Sequence, residues 1–77
     1  MDADKLIQMA NRIGEFFEAW PERAEALEGV ATHLRKFWDP RMRRELLARV
    51  EAGEAESLTS LVREAVTTYR ESLRPPG

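Results

Sequence analysis

The chain has 77 residues and a formal net charge of −2. That is room for one domain, and a domain this short buries only roughly 60% of the surface its unfolded chain exposes. It has no cysteine and a single histidine, His33, so a disulfide is excluded and so is a zinc site of the usual Cys/His type.

The first predicted helix runs from about Asp4 to Trp20. Leu6, Ala10, Ile13, Phe17 and Trp20 follow steps of four and three, and Ile7, Met9 and Phe16 widen the stripe. That period marks one face of a helix, not a strand. Asp2 or Asp4 can accept the free amides of its first turn. Gly14 inside the pattern lowers helix propensity by up to ~1 kcal/mol relative to Ala; two readings are open, a close approach by another helix and a merely tolerated glycine. Pro21 ends this helix and suits the first position of the next.

The second predicted helix spans about Pro21 to Trp38. Ala24, Leu27, Ala31, Leu34 and Trp38 repeat the three-four step, Val30 and Phe37 broaden it, and Gly29 is a weak spot. Asp39-Pro40 is the clearest boundary in the chain, because Asp fits an N-cap and Pro the first helical turn. The third helix then covers about Pro40 to Ala52, with Met42, Leu46, Leu47 and Val50 on its apolar face and Gly53 as its stop. Residues 53–57 form a short polar linker. A fourth helix covers about Leu58 to Leu73, with an end weakened by Thr67 and Thr68. Pro75-Pro76-Gly77 predicts a loose tail. The expected fold is all-α, a compact bundle of about four short helices, with residues 1–74 as a single domain and 75–77 outside it.

Charge is distributed unevenly. Residues 35–49 carry Arg35, Lys36, Arg41, Arg43, Arg44 and Arg49 against Asp39 and Glu45, while both flanks are acidic. Such asymmetry concerns partners rather than fold. The chain offers little for catalysis. Its serines and threonines lie mostly at a helix start or on a polar face. His33 neighbours Thr32 in sequence, but adjacent helical residues point about 100° apart. The glutamates fall on polar helix faces, and the glycines at 14, 29, 53 and 77 make no phosphate loop.

Basic residues beside Phe37 and Trp38 suit either single-stranded nucleic acid or a protein partner. An acidic chain argues against nucleic acid, whose binders are usually basic. Arginine beside Trp and Phe fits a protein contact, since Arg pairs bidentately with carboxylates and stacks on rings. Phe37 and Trp38 are adjacent and can hardly face the same way, so one is a candidate for contact, the alternative being that all five Phe and Trp rings fill the core; Phe17 and Trp20 are assigned to the core. The expected partner-binding residues are Phe37, Trp38, Asp39, Pro40, Arg41, Arg43 and Arg44. The alternative is a small nucleic-acid-binding or homodimeric interaction protein, and self-association is expected to be open to the isolated chain. The acidic first residues and the lack of an apolar run near the ~20 residues that span a bilayer predict a cytoplasmic protein without membrane contact.

Three segments carry a family resemblance. Lys5-Leu6-Ile7-Gln8-Met9-Ala10-Asn11-Arg12-Ile13, followed by Phe16-Phe17, is similar to the opening of delta subunits of NAD-dependent, molybdenum-type formate dehydrogenases. His33-Leu34-Arg35-Lys36-Phe37-Trp38-Asp39-Pro40-Arg41-Met42-Arg43 resembles that family's central signature, and Leu61-Val62-Arg63-Glu64-Ala65 its closing segment. The resemblance implies an accessory subunit without catalytic residues, cofactor-binding residues or metal ligands of its own. It implies a cytoplasmic partner complex whose large catalytic subunits hold molybdopterin guanine dinucleotide, iron–sulfur clusters and FMN, and pass electrons from formate to NAD. The delta subunit is expected to assemble or stabilise that complex by binding the large subunit.

Overall fold

Aspartate caps set where the first and third helices begin. In the computed structural model, which describes residues 2–76, α1 (Ala3–Phe17) starts after Asp2, whose Oδ1 accepts from the Asp4 amide at 3.0 Å. α2 (Arg23–Phe37) is followed by the extended residue Trp38, and α3 (Pro40–Glu51) is capped by Asp39, whose Oδ1 accepts from the Met42 amide at 2.9 Å. α3 stops in a left-handed Gly53 at φ 73°, where the Gly53 amide donates to the Val50 carbonyl and the Glu54 amide to the Arg49 carbonyl. That pair of reverse bonds satisfies carbonyls the helix end would leave open. α4 (Ser60–Thr68) and the single turn α5 (Arg70–Leu73) complete the chain. The fold is all-α, and no strand occurs among the described residues. Met1 and Gly77, the latter part of the expected tail, lie outside them.

Several boundaries differ from the sequence pattern, among them the start of α4 at Ser60 rather than Leu58. α1 closes at Phe17 rather than Trp20. A helix carried on to Pro21 would press the proline ring against the Phe17 carbonyl four residues back. Pro21 is then not the first residue of α2, which instead starts two residues later behind Glu22. The last predicted helix is broken at Tyr69 (φ −103°, ψ 23°), directly after the β-branched pair Thr67-Thr68. The broken end does not hang free. Leu73 is fully buried, Pro75 is buried as well, and Arg74 Nη2 meets Glu51 Oε2 at 2.9 Å.

The core is a single cluster centred on Val30, Leu34, Leu61, Val62, Val66 and Leu73. α2 packs on α1 and α4, and α1 also meets α3 and α4. Trp38 belongs to this cluster, together with Leu34 of α2 and Leu46 and Leu47 of α3. Gly14 allows the α1–α4 contact, since a Cβ there would overlap Val62 Cγ2. Val62 is wholly buried and stiff at χ1, so it cannot move aside. Gly14→Ala is therefore expected to destabilise the domain by about 1–2 kcal/mol, overpacking outweighing the gain in helix propensity. Urea denaturation followed by circular dichroism measures this, and a stabilised variant would contradict the close approach. Gly29 is no break in α2; it makes room for the Phe17 ring, which a Cβ would overlap.

The α3–α4 connection is held by two side chains. Asn11 of α1 donates through Nδ2 to the Ser57 carbonyl at 2.9 Å and accepts from the Thr59 amide at 3.0 Å. Arg63 of α4 directs Nη2 at the carbonyls of Ala55, Glu56 and Leu58, at 2.9–3.2 Å. The predicted polar linker is thus pinned, with Ala55 and Leu58 buried beneath it.

Candidate docking surface

The α2–α3 corner divides the expected contact residues between inside and outside. Helical phase decides the first pair. Leu27, Val30, Ala31 and Leu34 define the buried face of α2, and Trp38 continues it one turn on. Trp38 is 6% exposed and Phe37 is 71% exposed. Trp38 is therefore a core residue, which corrects its expected place on the contact surface. Asp39 and Pro40 are exposed but occupied in starting α3. Arg41 and Arg44 are exposed on the first turns of α3, and among the described residues neither has a carboxylate within ion-pair distance.

Arg43 also departs from expectation. It is half-buried and turned toward the end of α5, where Nη1 donates to the Leu73 carbonyl at 3.4 Å and Nε is buried without a partner. Its guanidinium supports the last helical turn from below rather than facing solvent. The outward corner is thus Phe37 with Arg41 and Arg44, joined by the exposed Arg35 and Lys36 at the end of α2.

A second feature lies beside this corner. Phe16 (67% exposed), Trp20 (41%) and Phe37 surround an open groove of about 590 Å³ between the end of α1 and the length of α2. Phe17 and Gly29 form part of its lining, and the His33 ring lies 4.8 Å from that of Phe37, tilted by 46°. Phe16 and Phe17 meet edge to face at 5.0 Å, and Phe17 and Trp20 are tilted at 5.1 Å. Sequence reasoning placed Trp20 in the core and Phe16 on the apolar stripe; both stand at the surface because α1 ends a turn early and Phe17 alone takes the inward position. The signal was present in Phe16-Phe17, an adjacent pair like Phe37-Trp38, of which one member must point away from the core.

Among the described residues no group of three or more His, Cys, Asp or Glu side chains is arranged to hold a metal ion. No helix among them is long and apolar enough to cross a membrane. No curated protein and no solved structure gives a significant match to the chain. A protein-family model does match, the NADH-dependent formate dehydrogenase delta subunit, over residues 5–66. That span contains nearly all of α1, the Phe37-to-Arg43 corner and the Asn11 and Arg63 contacts that pin the α3–α4 connection, so the chain belongs to the family of formate dehydrogenase delta subunits.

Proposed function

We propose that this delta subunit is a non-catalytic component that assembles or stabilises a cytoplasmic NAD-dependent formate dehydrogenase by binding its large, molybdopterin-bearing subunit. The observation that carries this reading is the α2–α3 corner, where Phe37 at the end of α2 and Arg41 and Arg44 on the first turns of α3 are all exposed, and the two guanidinium groups have no ion-pair partner among the described residues. Exposed large rings and arginines are the residue types that dominate binding energy at protein interfaces. Asp39 and Pro40 fix the turn, and Trp38 anchors it from beneath. The cofactors of such a complex, molybdopterin guanine dinucleotide, iron–sulfur clusters and FMN, do not fit this chain's own side chains. It has no cysteine to ligate a cluster, and its glycines are too dispersed to cradle a phosphate. They belong, on this reading, to the larger subunits.

Co-purification with a tagged large subunit tests the proposal. The double variant Arg41→Glu, Arg44→Glu is expected to keep its fold, since exposed substitutions usually shift stability by less than about 0.5 kcal/mol. It should be lost from the complex, and wild-type binding should weaken as salt rises. Recovery of the folded double variant at wild-type yield would remove this corner from the interface.

A further inference from the structure

The groove between α1 and α2 is charged at its two ends and apolar in its middle. Along α2 its lining runs Glu25, Glu28, Gly29, Thr32, His33 and Lys36, a single helical face about 17 Å long at 1.5 Å per residue. Carboxylates occupy one end and an ammonium the other. None of Glu25, Glu28 and Lys36 takes part in an ion pair among the described residues. Phe16 and Trp20 line it from the side of α1, and the Phe17 ring lies over Gly29 to form its floor.

We infer that this groove receives a three-turn amphipathic helix of the large subunit, lying antiparallel to α2, an inference that rests on the docking role proposed above. One wall is α2 and the other is the last turn of α1 with Trp20 beyond it, and the ridge of a third helix fills a groove beside helices packed in this way. Helix-in-groove recognition uses apolar anchors at i, i+3 or i+4, and i+7, which matches the length and the aromatic lining. No sheet edge exists among the described residues to accept an added strand. Charge sets the direction. Helices favour acidic residues in their first turn and basic ones in their last. An antiparallel helix of that kind brings its acidic start to Lys36 and its basic end to Glu25 and Glu28. A second copy of this chain fits less well, because two facing grooves leave the depth between them unfilled.

The test uses the full chain and overlapping 15-residue synthetic peptides covering the large subunit. Trp38 is already buried, so a blue shift in emission on binding reports Trp20, and Trp20→Phe should abolish it. The expected result is a peptide of the stated pattern that shifts this emission and gains helicity in circular dichroism. Phe16→Ala should weaken its binding about thirtyfold. The triple variant Glu25→Lys, Glu28→Lys, Lys36→Glu should transfer preference to the peptide with its end charges exchanged. If no peptide shifts the emission while the intact large subunit still binds, the groove assignment falls and the docking reading stands. If the intact large subunit does not bind either, both fall. A binding peptide indifferent to Phe16→Ala and to the charge reversal also overturns the inference. So does an emission shift that follows protein concentration alone, with a dimer mass in sedimentation.

Discussion

Trp38→Ala is expected to remove about 3–5 kcal/mol of folding stability, the usual range for deleting a large buried ring. A domain of this length holds roughly 4–11 kcal/mol in total, so the variant should sit near or beyond the edge of unfolding. The reason is position. Trp38 is 6% exposed and belongs to the central cluster, while its backbone is extended at φ −88°, ψ 134° to turn the chain from α2 into α3. Removing the indole empties the core at the point where two helices are joined. Urea denaturation followed by circular dichroism gives the number. A loss below about 1 kcal/mol would show that the surroundings close over the cavity, contrary to the dense packing expected of an interior.

Phe37→Ala should do the opposite. Its ring is 71% exposed and lies against His33, so stability should change by less than about 0.5 kcal/mol. Binding to the large subunit should weaken about thirtyfold, equivalent to ~2 kcal/mol, because the ring stands where the cationic corner and the aromatic groove meet. Measured together by calorimetry on purified subunits and by denaturation of the isolated chain, the neighbouring variants separate packing from recognition. Undiminished binding by Phe37→Ala would exclude this ring as an anchor.

Much of this architecture is legible in the residues alone. Asp39-Pro40 marks a helix start because capping is local chemistry, settled within three residues. Gly53 marks a helix stop for the same reason. The all-α fold follows from the three-four spacing of apolar residues. That spacing also carries Trp38 inward, four residues after Leu34, so placing it on the contact surface went against the periodicity itself. Other features depend on contacts distant in sequence. Gly29 reads as a weakness until Phe17 is seen lying over it, and Arg43 reads as a surface cation until α5 folds back across it. The groove was hidden because an apolar stripe of α1 reads as core throughout, whereas the helix buries only one of its two adjacent phenylalanines.

The connection between α3 and α4 has a bearing on how the domain is built. Its polar anchors are Asn11, near the start of the chain, and Arg63, beyond the connection itself. Arg63 holds Ala55, Glu56 and Leu58 from the adjoining helix, whereas Asn11 can hold Ser57 and Thr59 only where the first and fourth helices have come together. Protease cleavage within this stretch would follow the separation of those helices rather than the melting of any one of them, making the segment a gauge of tertiary closure.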